Sequence, residues 1–287
     1  VAEAAARAAS GLRDADERDA EDMPQRDTID VEVWDKHVRT RVLVGGAGPP
    51  LLYLHSALGL VWDPFLDSLA AHHTVHAPYL PGTAPGEPDA HASVADVADL
   101  TLVYQEICAA LGLTEPAVVG HSFGGMMAAE LAATFPELVS RLVLVCPIGL
   151  WADDRVFTNP YTLDTVGLAA HAFADPTGPV ARAALGLPED PEAATEAVIA
   201  MTWAMGVAGK FWWPIPDRGL ARRIHRITAP ALVVWGEQDR LVDPGYAADF
   251  SRLLGDARAE VLPGAAHVPQ LERLDVVGPM VAQFLAG

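Results

Sequence analysis

Gly120-His121-Ser122-Phe123-Gly124, followed by Gly125, sets a serine between glycines placed two residues before and two after it. A short apolar run, 117–119, leads into the segment. A helical pattern through Met127, Leu131 and Phe135 leads out of it, so a helix is expected over 126–135. In a strand–turn–helix context a G-x-S-x-G turn holds its serine at strained backbone angles and presents the hydroxyl. The chemistry on offer is nucleophilic attack by the Ser122 hydroxyl on a carbonyl carbon. A glycine-rich turn that only packs would read the same in isolation; the flanking strand and helix favour the reactive reading.

A serine hydroxyl needs a base to take its proton, and the base needs an acid to orient it. With this type of turn the three follow the order serine, Asp or Glu, histidine. Trp235-Gly236-Glu237-Gln238-Asp239 follows an apolar run and puts Asp239 at a strand end. Gly264-Ala265-Ala266-His267 follows the last run and precedes a helix expected from Pro269. Both positions fall on the sheet edge that carries Ser122, where open α/β sheets bind ligands. His267 is therefore the expected base. Among the other histidines, His72 and His73 read as surface residues at a helix end, His225 as part of a basic helix, and His121 as a packing side chain of the turn. Glu237 and Asp243 compete with Asp239 for the acid, and Asp239 is preferred because it comes directly off the strand. The tetrahedral oxyanion needs two preorganised donors. The Phe123 N–H at the helix head is one. The other is assigned to the Ala57 N–H, in the loop His55-Ser56-Ala57-Leu58-Gly59, with His55 bracing that loop.

These residues need a scaffold, and the hydrophobic rhythm supplies one. Ile29, Val31 and Val33 alternate within 28–34, and 39–44 alternates again after Asp35-Lys36-His37, which reads as an antiparallel hairpin. Apolar runs at 51–54, 74–77, 117–119, 142–145, 231–235 and 259–262 suit strands of a mostly parallel sheet buried on both faces. Val94, Val97, Thr101, Tyr104, Cys108 and Leu111 recur at helical spacing between two of them. Strand–helix alternation implies an α/β fold with right-handed crossovers. The rhythm stops from 150 to 227, where helical pieces (192–207 is the best) lie between breaks at Pro160, Pro176, Pro188 and Pro214. The expected organisation is a core of 28–149 and 228–287, a helical cap of 150–227, and an N-terminal tail or solvated helix over 1–27, with Met23 a possible natural start.

Composition narrows the partners. Of 287 residues 51% are hydrophobic, enough for a sizeable core, and 38 acidic against 19 basic residues give a net charge of −19. That field repels phosphate backbones and anionic lipid, so neither nucleic acid nor a membrane surface is expected as partner; a small-molecule substrate is. No run approaches the roughly 18 apolar residues of a membrane span. Cys108 and Cys146 are the only cysteines, in apolar surroundings and without metal-type spacing, so reduced buried thiols and a cytoplasmic location are expected. No signal peptide is visible, although the chain starts at Val1. Neither a metal cluster nor a lysine-bearing phosphate loop appears, and no cofactor or metal is expected.

The oxyanion loop 55–59, Leu80-Pro81-Gly82, the segment 120–125, Gly236-Glu237-Gln238-Asp239 and Gly264-Ala265-Ala266-His267 together resemble α/β-hydrolase-fold serine hydrolases with a helical cap, over residues 28–287. The resemblance implies an eight-stranded, mostly parallel sheet with helices on both faces and an inserted cap. It also implies a Ser122–Asp239–His267 triad with an oxyanion hole at Ala57 and Phe123. The family usually has His-Gly where this chain has His55-Ser56; the serine restricts the loop and adds a hydroxyl near the pocket. Haloalkane dehalogenases and epoxide hydrolases share the fold but use Asp as nucleophile. C–C hydrolases often carry Trp after the histidine, where this chain has Val268, and proline peptidases show a more Gly/Pro-rich oxyanion loop.

The expected activity is hydrolysis of a carboxylic ester, lactone or thioester of a small, largely apolar substrate through an acyl-enzyme. Alternatives are a C–C hydrolase of ring-cleavage products, a cofactor-free haloperoxidase, and a ligand-sensing homologue without turnover. The cap is rich in aromatic and Met side chains: Trp151, Phe157, Tyr161, Phe173, Met201, Trp203, Met205, Phe211, Trp212 and Trp213. Trp151, Trp203 and Phe211, with Ser56 and Val268, are taken as substrate-binding, although holding the cap to the core is the simpler role for any one aromatic.

Overall fold

Residues 26–287 are described by the computed structural model, and the structural statements below concern them. The tail or helix expected over 1–27 therefore lies almost wholly outside the described residues; Asp27 already belongs to the first strand. Strands β1 (Asp27–Val33) and β2 (Val38–Gly45) form the expected hairpin, paired from Asp27↔Val44 to Val33↔Val38. The chain continues through β3 (Pro50–Leu54), α1 (Pro64–Ala70), β4 (Thr74–Pro78), α2 (Val97–Ala110), β5 (Ala117–His121), α3 (Phe123–Thr134) and β6 (Leu142–Val145). Asp63 and Asp96 cap α1 and α2, each carboxylate accepting two N–H groups of the first turn.

Between β6 and the next strand the chain runs through α4 (Thr165–Ala172), α5 (Pro179–Leu185), α6 (Pro191–Trp212) and α7 (Leu220–Arg223). Helix α6 is longer than the expected 192–207. Asp190 caps it by accepting the Ala193 N–H, Pro191 fits its first turn, and it ends just before Trp213-Pro214, where the residue preceding proline disfavours helix. Its later turns bury Ala204, Val207, Ala208, Phe211 and Trp212. Then follow β7 (Ala231–Gly236), α8 (Tyr246–Leu253), β8 (Ala257–Leu262), α9 (Pro269–Glu272) and α10 (Leu274–Ala286).

The eight strands form one sheet in the order β1-β2-β4-β3-β5-β6-β7-β8. The β1–β2 and β2–β4 pairs are antiparallel and the rest parallel. Every residue of β5, β6 and β7 is buried, as continuous apolar runs require when helices cover both faces. The run at 259–262 behaves differently. It belongs to β8, the edge strand, where Arg258 and Val261 are exposed and Arg258 pairs with Glu260 at 2.7 Å. An edge strand is covered on fewer sides, and charge there discourages pairing with another chain.

Of three histidines expected on helix ends or in a basic helix, one is buried. His72 is exposed as expected, but His73 is buried behind the end of α1. His225 is exposed in the short turn Ile224–Arg226 after α7. The inserted helices are fastened to the core by Arg223, whose guanidinium pairs with buried Glu130 of α3 at 2.6 Å. Among the described residues no helix is long and apolar enough to cross a membrane.

Candidate active site

The turn between β5 and α3 is tightly packed, and at Gly120 and Gly124 backbone presses on backbone. A Cβ at Gly120 would collide with the Gly124 carbonyl, one at Gly124 with the Leu54 carbonyl, and one at Gly125 would lie 2.8 Å from Pro147 Cβ. A side chain at any of the three would displace a neighbour: the head of α3 for Gly120, the end of β3 for Gly124 and Pro147 for Gly125. Ser122 sits between them at φ 56°, ψ −115°, a conformation that L side chains rarely adopt. Helix α3 begins immediately after it, at Phe123 rather than Met126, so the positive end of the helix dipole points at the serine hydroxyl.

His267 Nε2 lies 2.9 Å from Ser122 Oγ, and His267 Nδ1 lies 2.7 Å from Asp239 Oδ2. Asp239 is held from every side. Its Oδ1 accepts the Leu241 N–H (2.9 Å) and the Val242 N–H (3.0 Å), and its Oδ2 also accepts the Trp235 indole N–H at 3.0 Å. All three side chains of the hydrogen-bonded chain are buried. Glu237 is exposed, and Asp243 turns to accept the Gly245 N–H, so of the three competing carboxylates Asp239 is the one that reaches the imidazole. With Nδ1–H donated to Asp239, the Nε2 lone pair faces the serine proton, the arrangement that lets an imidazole act as general base.

Two further histidines brace the site without joining it. The His55 Nδ1–H donates to the Ser56 carbonyl (2.7 Å), and its Nε2 accepts the Leu80 N–H (3.0 Å). His121 Nε2–H donates to the His267 carbonyl at 2.8 Å. Burial lowers His55 to about 4 from the ordinary 6.5; burial, with the nearby His267 next, lowers His121 to about 3. The unfolded chain therefore takes up protons between pH 6.5 and 4 that the folded chain refuses, and stability falls as pH drops through that window. For His55 alone, 2.5 pH units correspond to about 3 kcal/mol. Urea unfolding at pH 7 and pH 4.5 is expected to show this loss, and His55→Gln is expected to reduce it but not abolish it, because His121 keeps its own share.

Ala57 and Phe123 both border a cavity of about 50 Å³ beside Ser122 and His267. The Phe123 N–H is the first of α3, and the initial N–H groups of a helix have no intrahelical acceptor. Ile148, Phe157, Trp212, Leu241 and Val242 form most of the remaining wall, with Thr158 and Pro160. No Lys, Arg, Asp or Glu side chain borders it.

A family model described as the alpha/beta hydrolase fold matches residues 49–274. The chain belongs to the α/β-hydrolase fold family. This α/β hydrolase is 26% identical over 188 residues to a 2-hydroxy-6-oxo-6-phenylhexa-2,4-dienoate hydrolase of Burkholderia cepacia, across 62% of the chain and 65% of that protein. It thus spans about 65% of the length of that relative. It is 29% identical over 268 residues to a pimeloyl-[acyl-carrier protein] methyl ester esterase of Xanthomonas axonopodis pv. citri (strain 306), across 84% of the chain and 96% of the relative. Among solved structures, a bacterial membrane phospholipase A aligns with TM-score 0.76 at 23% identity, covering 97% of this chain and 90% of that one. A naproxen esterase from Bacillus subtilis aligns with TM-score 0.70 at 17% identity, covering 96% of each. At those identities the structural likeness concerns the fold.

The α/β hydrolase does not place the five expected substrate-binding residues on the cavity beside Ser122. Ser56 Oγ accepts the Leu58 N–H and serves the loop. Trp151 is exposed, its indole N–H given to Asp153. Trp203 faces the other way, donating to the Gly82 carbonyl at 2.7 Å. Phe211 stacks on the Phe123 ring at 6.3 Å and is buried as packing, and Val268 is buried at the head of α9. Phe157 and Trp212 occupy the wall instead. Their signal was aromatic content in the inserted helices, which names the residue types but not the face. Trp235 was missed altogether: in sequence it is one more apolar residue of a buried strand, and only its indole N–H reveals the link to Asp239.

One group of potential metal donors exists among the described residues: Cys146, Asp239 and His267, with ligand atoms within 4.8 Å of one another. Two of these atoms, His267 Nδ1 and Asp239 Oδ2, are engaged with each other. Burial first, and the Asp239 carboxylate next, push the Cys146 thiol well above its ordinary value, disfavouring the thiolate that a metal would need. The donor set therefore fits an imidazole–carboxylate pair better than an ion.

Proposed function

We propose that this α/β hydrolase cleaves neutral carboxylic esters with short acyl groups, through an acyl-enzyme on Ser122. The observation that carries this reading is the small, uncharged cavity set against the Ser122–His267–Asp239 chain. Ser122 Oγ attacks the ester carbonyl carbon as its proton passes to His267 Nε2. The imidazolium so formed is stabilised by Asp239, and the oxyanion points toward the Ala57 and Phe123 N–H groups. Collapse breaks the C–O bond, and His267 returns the proton to the departing alcohol oxygen. A water then gives its proton to His267 and attacks the acyl carbon; the bond from that carbon to Ser122 Oγ breaks, His267 returns the proton to Oγ, and the carboxylic acid leaves.

Size and charge select the substrate class. A water needs about 10–15 Å³ of such space, so about 50 Å³ holds roughly three to five water-sized groups, the size of an acetyl to butyryl chain. The C–C hydrolase relatives act, by their names, on dienoates, which carry a carboxylate. Burying such a charge without a cationic partner costs several kcal/mol or more. No Lys or Arg borders this cavity, which favours the ester reading over C–C cleavage. A p-nitrophenyl acetate, butyrate and octanoate series is expected to show kcat/KM falling steeply beyond butyrate. Octanoate as the preferred ester, or cleavage of a dienoate without ester turnover, would overturn the proposal. Phe157→Ala, which opens the wall, is expected to shift the preference toward octanoate by about tenfold or more, on the order of two methylenes' worth of burial.

A further inference from the structure

The loops that carry Asp239 and His267 are fastened to the same helix end. Three carbonyls of the last turn of α4 accept from them: Ala170 from Arg240 Nη1 (2.9 Å), His171 from the Arg240 N–H (3.2 Å) and Ala172 from the His267 N–H (2.9 Å). These carbonyls have no intrahelical donor, so the loops take the place of a helix cap. One side chain then ties the knot. Glu272, at the end of α9, accepts the Ala266 N–H on Oε2 and the Ala174 N–H on Oε1, both at 2.7 Å. Ala266 immediately precedes His267, and Ala174 lies two residues beyond α4. Glu272 makes no ion pair among the described residues, so its charge is spent on two main-chain amides. Two short charge-assisted bonds from one rigid carboxylate fix the separation of the groups they join.

We propose that Glu272 is a positioning residue: it clamps the backbone before His267 to the segment after α4, and so holds Nε2 in reach of Ser122 Oγ. The proposal rests on the assignment of His267 as base in the reading above. Glutamine has the same shape but one acceptor oxygen, and its amide NH₂ would face the second N–H donor. One tie is lost and the loop gains freedom along the line joining His267 to Ser122. Small displacements of a reacting group carry large rate penalties.

The test compares wild type with Glu272→Gln, using p-nitrophenyl acetate kinetics normalised by fluorophosphonate titration of the reactive serine. It adds the proton NMR signal of His267 Nδ1–H and a thermal melt. The expected result is a kcat lower by about tenfold, KM within about twofold, and a shifted or broadened Nδ1–H signal. A folded Glu272→Gln with kcat within twofold of wild type and an unchanged Nδ1–H signal overturns the proposal, whatever its melting temperature, because a purely structural residue moves only the melt. Should Glu272→Gln not fold, Glu272→Asp carries the same test: it keeps the charge, shortens the reach by a methylene and is expected to lower kcat in the same way. Failure of the ester reading is separable, because the Nδ1–H signal is read without substrate. Wild type that turns over no ester while Glu272→Gln still disturbs that signal counts against the ester, not against the clamp.

Discussion

Ser122→Ala is expected to lower ester turnover by about 10⁶, to the level of background, and to abolish covalent labelling by a fluorophosphonate. The loss is that large because no second hydroxyl among the described residues stands at hydrogen-bond distance from His267 Nε2. The substitution is also clean. Ser122 already sits at positive φ with a Cβ, and alanine adds no atom and no new backbone strain. Its main-chain bonds, N–H to the Val145 carbonyl and C=O to the Met126 and Ile148 N–H groups, are untouched. The melting temperature should therefore stay within a few degrees of wild type. Equal labelling of the two proteins would remove Ser122 from the mechanism.

Asp239→Asn should cost about 10⁴ in kcat, close to 5 kcal/mol of transition-state stabilisation. The asparagine oxygen can keep the Leu241 and Val242 N–H bonds, which turns the amide nitrogen toward His267 Nδ1. A donor there demands a bare Nδ1, so the proton moves to Nε2 and the lone pair that would take the serine proton is gone. Trp235 loses its carboxylate acceptor but keeps the Val242 carbonyl at 3.2 Å, so the strand end has an alternative partner and the fold should survive. Steady-state kinetics beside circular dichroism checks both halves. Activity within tenfold of wild type would return the role to Glu237 or Asp243.

The contrast between these residues shows what the sequence made legible. Ser122 could be read because the requirement is local: strand, glycine, serine, glycine and helix lie within a few residues. Asp239 could be narrowed to one of three nearby carboxylates and ranked by its strand, but the selection itself comes from the Trp235 indole and two amides of a loop that folds back. The sheet was legible for a similar reason, since runs without alternation signal burial on both faces, and only edge strand β8 broke the rule because neighbours, not residues, decide what an edge exposes. The lining of the cavity was not legible. Phe211 and Trp212 are adjacent on one helix, yet the first stacks on Phe123 and the second faces the cavity. Helical periodicity gives a face only when it is known which way the helix lies. Glu272 was silent for another reason: its partners are main-chain amides, which every residue has.

The contact of Gly124 with the Leu54 carbonyl bears on how this site can diversify. Its floor is made of main chain meeting main chain, and no substitution there leaves the strands in place. Its ceiling, by contrast, is made of interchangeable side chains such as Phe157 and Trp212. Directed evolution toward bulkier acids should accumulate changes overhead while the floor stays invariant, and a library confined to the floor should yield misfolded protein rather than new specificities.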